Sequence, residues 1–486
     1  MGKRVQEFEK LNPRDIQSER ADHPDPRANK PGRRPKSRVG EANAAEVQQD
    51  VLKHFFPNFV KWLTEVRDPR KKIELCTYPI EYILMTVLMM HCGQTGSRRQ
   101  LGRELAGKRL GGNIWRMVGK VYSDVVCHPD TMNGVLETLE IEELEKLIVK
   151  IVTRLRKCRM LDRFRFDGLL TVAIDGTKIL KFKKRHCEHC THQTHKNGKR
   201  TYFHCVLVAK IVTPLGLVIP LAFEFIENPK GEYDKQDCEL KAWRRLYKKI
   251  RTLYPRLKIN LVADGIYAEE QTFKDCEEAN WNYINVLKDD KLPTLTRQLP
   301  LSGSDEWTGI LTKKTTNADN KPITRTVRFK TPVSYHGEIV HVVELEDINE
   351  KGERDYYNRW VTNVKPNTKN AFDLAQTGRL RWKVENEGIN TQKNGGYEME
   401  HGYGIKDNAW KNYYLTLQIS QLMNDLVRFG DFLQKTTGNP KATFLAVFGT
   451  MRNFAKRLIE CLRNGLPHFD RPPPLGTRFQ IRFLLL

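Results

Sequence analysis

Apolar positions change their period along this chain, and the change divides it. From residue 46 to about 160 they recur at helical spacing. In "EELEKLIVKIVTRL", Leu144, Leu147, Ile148, Ile151, Val152 and Leu155 share one face, which predicts an amphipathic helix. Upstream, "YILMTVLMMHC" (Tyr82–Cys92) is apolar all round. It is shorter than the ~20 apolar residues that cross a bilayer, so it reads as a buried helix. "HPDTMNGVL" offers Asp130 or Thr131 as a helix N-cap. "GSRRQLGRELAGKRLGG" is a basic amphipathic piece, a candidate DNA-contacting helix without a clean helix-turn-helix pattern.

From about 165 the pattern becomes that of strands. "LLTVAID" is a continuous apolar run, as in a central strand covered on both faces. "TYFHCVLVAKIV" and "GLVIPLAFEFI" follow, joined by the hairpin signal "TPLG". Next come a helix ("DCELKAWRRLYKKIRTLY"), a strand ("KINLVADG"), a helix ("YAEEQTFKDCEEAN") and a strand ("YINVLK"). A meander followed by a β-α-β crossover predicts a mixed α/β sheet. Residues 290–362 read as a β-rich insertion. Beyond it, "FDLAQTGRLRWKVENEGINTQKN" and the long amphipathic "NAWKNYYLTLQISQLMNDLVRFGDFL" are helical. The expected layout is a basic arm (1–45), a helical N-terminal domain (46–160), the first part of the sheet (165–289) with a Cys/His loop at 183–204, the insertion (290–362), a second part of the core (363–432), and a last helix with a Pro-rich tail (433–486).

Composition adds a partner. The chain has 486 residues, with 82 Lys and Arg against 59 Asp and Glu, a net charge of +23. Such a balance favours a polyanion, above all nucleic acid. The arm "DHPDPRANKPGRRPKSR" has the proline and charge of a disordered segment. The start "MGKRVQEFEK" has no signal-peptide core, and the ten cysteines are scattered apart from one pair. A reduced, cytoplasmic protein off the membrane is expected.

Two strands stop on a carboxylate followed by glycine: "VAID" on Asp175 and "LVAD" on Asp264. In an open α/β sheet that edge is where sites form. Asp-Gly is also a common turn pair, and either one alone reads more simply that way. Both together favour a site. A third hard oxygen ligand is available in "GRLRWKVENEGIN", where Arg381 and Glu385 are spaced i, i+4 on one helix face. Glu387 is the substitute, about 200° around the helix from Glu385.

The segments "AIDGT", "LVADGIYA" and "GRLRWKVENEGINTQKNGGYEMEHGYG" together resemble the insertion-sequence transposases of the DDE superfamily, over about Leu169–Phe432. The resemblance implies a ribonuclease H-like core with a β-rich insertion between the second Asp and the Glu. It implies Asp175, Asp264 and Glu385 as a catalytic triad holding Mg²⁺ or Mn²⁺. It also implies cleavage of transposon ends, transfer of the 3′-OH to target DNA, and a homo-oligomer on paired ends in a prokaryotic cell, at the nucleoid. The rivals are a nuclease on the same core without strand transfer, and a non-catalytic DNA-binding descendant. One branch of the family carries Tyr-x2-Arg-x3-Glu-x6-Lys. Here Arg381 and Glu385 fit, Gly378 stands at the Tyr position and Gln392 at the Lys position, with Lys393 one residue late. Arg381 and Lys393 are the expected DNA contacts here.

Cys187 and Cys190 form a Cys-x2-Cys pair, the usual start of a structural zinc site. His192, His195 and His204 are the available partners. Related transposases have a similar Cys-x2-Cys-x4-His stretch, which ranks His195 above His192 and gives Cys187, Cys190, His195 and His204 as the expected Zn²⁺ ligands. The flanking Lys183, Lys184 and Arg185 are expected to meet DNA phosphates.

Overall fold

The computed structural model describes residues 42–231, 235–317, 319–469 and 480–484. Most of the expected basic arm and part of the Pro-rich tail lie outside these. The described residues pack as one unit.

Seven helices come first: α1 (Ala44–Phe55), α2 (Phe59–Thr64), α3 (Ile80–Cys92), α4 (Arg98–Leu105), α5 (Arg109–Met117), α6 (Pro129–Thr138) and α7 (Ile141–Lys157). All thirteen positions of α3 are buried, as its uniform apolarity predicts. In α7 the six expected apolar residues are buried. The N-cap of α6 is neither Asp130 nor Thr131. His128 takes the place, its side chain accepting from the Asp130 N–H, because Pro129 fits the first helical position.

The sheet has ten strands: β1 (Leu170–Phe182), β2 (Thr191–Thr194), β3 (Arg200–Val212), β4 (Val218–Ile226), β5 (Ile259–Ala263), β6 (Asn282–Val286), β7 (Gly309–Thr316), β8 (Pro322–Tyr335), β9 (Glu338–Asn349) and β10 (Arg354–Thr362). Helix α8 (Glu239–Leu253) precedes β5, and α9 (Glu270–Glu278) joins β5 to β6. The central order is β4-β3-β1-β5-β6, with β1, β3 and β4 antiparallel and β1, β5 and β6 parallel. This mixed α/β sheet is the expected class and is consistent with a ribonuclease H-like core.

The β-rich segment extends the same sheet, because β10 pairs with β6 and the order runs on through β9, β8 and β7. Strand β9 buries Glu344, Glu346 and Asp347. Each is paired: Arg325 and Arg379 with Asp347, Arg328 and Arg359 with Glu344, Arg354 with Glu346. A short helix α10 (Pro293–Thr296) leads into this segment.

After β10 a helical rod runs through α11 (Ala371–Arg379), α12 (Arg381–Lys383), a π turn (Val384–Asn390) and α13 (Thr391–Asn394). Then comes α14 (Ala409–Phe429), expected to be amphipathic. It is instead buried on nearly every face. Several of its polar groups find partners inside: Asn412 donates to the Leu136 and Leu139 carbonyls, Asn424 to the Cys92 carbonyl, and Gln418 exchanges bonds with Gln392. These buried amides tie the N-terminal helices and the rod to α14. Three further helices, α15 (Phe432–Thr437), α16 (Phe444–Phe448) and α17 (Met451–Asn464), follow. No described helix is long and apolar enough to cross a membrane.

Candidate active site

Strand β1 does not stop on Asp175. It continues to Phe182 as a hairpin with β3, while its parallel pairing to β5 ends sooner. The apolar run ends where cover from β5 ends, and the strand runs on. That parallel register pairs Ala173 with Val262. Carried on two residues, it brings Asp175 level with Asp264, just past the end of β5.

The π turn supplies Glu385. Its neighbour Arg381 lies among all three acids. It pairs with Glu385 at 3.5 Å, and its charge acts on both Asp175 and Asp264. The Arg381 side chain is only 9% exposed, and its Nε has no hydrogen-bond partner. The Arg381 side chain faces the acids.

Burial pushes the Asp175 carboxyl up to about 7, Arg381 opposing and Glu239 and Glu385 reinforcing the rise. Asp264 behaves oppositely. Burial would raise it, but the Gly265 N–H, Lys288 at 3.0 Å and Arg381 together hold it below its ordinary value. Two acids at one sheet edge with pKa values pushed in opposite directions form a pattern that functional sites share with structural ion-pair networks.

The acids are not drawn together as in a filled metal site. Among the described residues, the only group of three or more metal-ligating side chains with donor atoms within 4.8 Å of one another lies elsewhere. Bare carboxylates repel, and Arg381 supplies the one buried positive charge between them. The donor set itself, carboxylate oxygens on a half-open edge, fits hard divalent cations.

That other group is the Cys/His cluster, and it corrects one expectation. Its members are His186, Cys187, Cys190 and His204. Sulfur to sulfur is 3.8 Å, and the sulfurs lie 3.6 and 3.8 Å from His204 Nε2. Tetrahedral zinc, with Zn–S about 2.3 Å and Zn–N about 2.05 Å, requires ~3.8 Å between sulfurs and ~3.6 Å from sulfur to nitrogen. Burial lowers His204 to about 4, so it is neutral and able to ligate. His195 is not in the group. It is exposed at the β2–β3 turn, its Nε2 bonded to Thr201 Oγ1 at 2.8 Å. The expectation looked only downstream of the cysteines. The histidine directly before Cys187 folds back instead, stacked on Phe182 at 4.6 Å. His192 is also absent from the group.

Around the cluster Lys183, Lys184 and Arg185 are exposed, and Arg185 also donates to the Cys187 and Glu188 carbonyls. Lys393 pairs with Glu400 at 2.9 Å. The two departures from the Tyr and Lys pattern have packing causes. A Cβ on Gly378 would lie 2.6 Å from Trp360 Nε1, and Gln392 is fully buried against Gln418 and Gln421.

Residues 167–387, which contain all three acids, match the family described as transposase DDE domain. The chain carries a transposase DDE domain. Among curated proteins no match is found. The matched stretch runs from the start of β1 into the π turn, and so includes the ten strands and the rod up to Glu387.

Sequence reasoning passed over three residues of this transposase domain. Lys288 bonds Asp264, and its stem covers Gly265. Tyr267 is buried and donates to Glu239 Oε2 at 3.2 Å. Glu239 lies at the start of α8, and its carboxyl is raised by burial, with the Tyr267 bond opposing and Asp264 adding to the rise. Each could be noticed only by its position at a strand or helix end on the same sheet edge.

Proposed function

We propose that this chain is a DNA transposase. It cleaves the ends of a mobile element and joins the freed 3′-OH to target DNA. The observation that carries the reading is the transposase DDE domain over residues 167–387, with Asp175 and Asp264 level at one strand edge and Glu385 linked to them through Arg381. Asp175, Asp264 and Glu385 hold Mg²⁺ or Mn²⁺. When bound, such ions stabilise both the attacking and the leaving oxygen of an in-line displacement at phosphorus. The carboxylates would orient these ions, and Arg381, which faces the same acids, would meet phosphate. No side-chain nucleophile is required. Lys183, Lys184, Arg185 and Lys393 grip the DNA backbone, and the helical stretch from residue 46 to about 160 recognises the element ends. The charge of +23 suits a protein that holds several DNA segments, two or more copies acting on paired ends. Cys187, Cys190, His204 and His186 hold a structural Zn²⁺ that ties the end of β1 to β3 and, through His204 stacked on Trp410 at 4.4 Å, to α14.

The test is a plasmid-integration assay with DNA carrying the native flanks of the gene and Mg²⁺ or Mn²⁺. Wild type is compared with Asp175→Asn, Asp264→Asn and Glu385→Gln. Joined product lost in all three variants is expected. Cleavage without joining would replace this reading by a nuclease, and DNA binding without any metal-dependent product by a non-catalytic protein.

A further inference from the structure

A fourth carboxylate stands at the edge that carries Asp175 and Asp264. Glu239 opens α8, and its carboxylate rests on the backbone of Gly176, the residue after Asp175. A Cβ at position 176 would overlap that carboxylate, so glycine there is a condition of the approach. The other oxygen accepts from Tyr267, three residues after Asp264. Glu239 therefore touches the segments that follow both aspartates.

No Lys, Arg or His lies within ion-pair distance of Glu239 among the described residues, although Lys and Arg outnumber Asp and Glu in the chain. Asp264 has Lys288, and Glu385 has Arg381. A half-buried carboxylate whose neighbouring titratable groups, among the described residues, are a phenol and two further acids is costly unless a cation answers it.

Its place is fixed from outside the cleft. Gln236 exchanges two hydrogen bonds with the backbone of His192 on β2. Asp237 accepts from the Glu227 N–H and its own N–H donates to Asn228 Oδ1. Asn228 in turn donates to the Cys190 carbonyl. The turn before α8 is thus stitched to the Cys/His cluster, and Glu239 follows it onto the sheet edge.

We propose that Glu239 is a fourth carboxylate ligand of the divalent-cation site, beside Asp175 and Asp264. The assignment rests on the transposase reading of that edge. It makes "QDCE", Gln236–Glu239, a part of the site: the first two residues place the segment and the last binds.

The test measures Mn²⁺ binding to the full chain, by electron paramagnetic resonance of free Mn²⁺, for wild type, Asp175→Asn, Glu239→Gln and Tyr267→Phe. Melting temperatures confirm folding. The expected result is at least about tenfold weaker binding in Glu239→Gln, since even the outer-shell partners of metal ligands are worth about 10–100-fold in affinity, with Tyr267→Phe close to wild type. Weak binding in Asp175→Asn with wild-type binding in Glu239→Gln overturns the assignment and leaves Glu239 as a partner of Tyr267. Wild-type binding in both overturns the metal-site reading beneath it as well. Should Glu239→Gln fail to fold, Glu239→Asp keeps the charge and withdraws it by one methylene; a wild-type affinity there overturns the proposal.

Discussion

Replacing Asp175 by asparagine is expected to stabilise the protein in the absence of divalent cations. The carboxyl of Asp175 is pushed up to about 7 from an ordinary 3.8, mainly by burial, with Glu239 and Glu385 adding to the rise. In the unfolded chain the group ionises near its ordinary value. Between these values the folded state binds the extra proton, so stability falls as pH rises from about 4 to about 7 and is then level. A shift of ~3 units at 1.36 kcal/mol each sets a ceiling of ~4 kcal/mol on the loss. Asparagine keeps the shape and carries no charge to desolvate. A gain of about 2 kcal/mol at pH 8 is therefore expected, shrinking toward nothing at pH 4. Other groups titrate alike in both proteins and cancel in the difference. Urea unfolding of wild type and Asp175→Asn at pH 4, 6 and 8, after dialysis against divalent-free buffer, measures it. Mn²⁺ should then reverse the order, stabilising wild type by ~2.7 kcal/mol at a hundred times its Kd and the variant little. A variant at pH 8 no more stable than wild type, without metal, would refute the idea that Asp175 is held against its own charge.

Three other outcomes follow from the same packing. The purified chain should carry about one zinc, lost in Cys190→Ser and His186→Ala and kept in His195→Ala; metal analysis separates these, and loss in His195→Ala would restore the ligand set expected from spacing alone. Lys210 is fully buried, and the Asp425 carboxylate is the charge that acts against its desolvation. Asp425→Ala should lower stability in urea unfolding, whereas Lys210→Met with Asp425→Leu should cost less. Gly378→Ala should cost about 1–3 kcal/mol by the same measurement, because its Cβ would press on Trp360; an unchanged midpoint would mean that the rod shifts freely.

What the sequence showed well was periodic. The apolar run of β1, the uniform apolarity of α3 and the meander before α8 follow from side-chain patterns, and so does the place of Asp264 at a strand end, whereas Asp175 lies within β1. What it hid was set by partners far along the chain. Helix α14 reads as amphipathic because Asn412, Gln418 and Asn424 are polar, yet each is answered by a carbonyl or amide from another element. Nothing local distinguishes such an amide from one facing water. The zinc-type cluster failed at one ligand for a related reason. Spacing rules describe a chain that moves forward from Cys-x2-Cys to its histidines, whereas here β1 runs on past β5 and the chain then turns back, so His186 before the pair joins the cluster and His195 after it closes a hairpin tip. Glu239 was invisible for the strongest reason: a single glutamate at a helix start is ordinary, and only the missing side chain of Gly176, 63 positions earlier, shows what it approaches. The glycine of "AIDGT" reads locally as the second half of a turn, but no turn is there: β1 runs straight through it, and the glycine is spent on contact with α8.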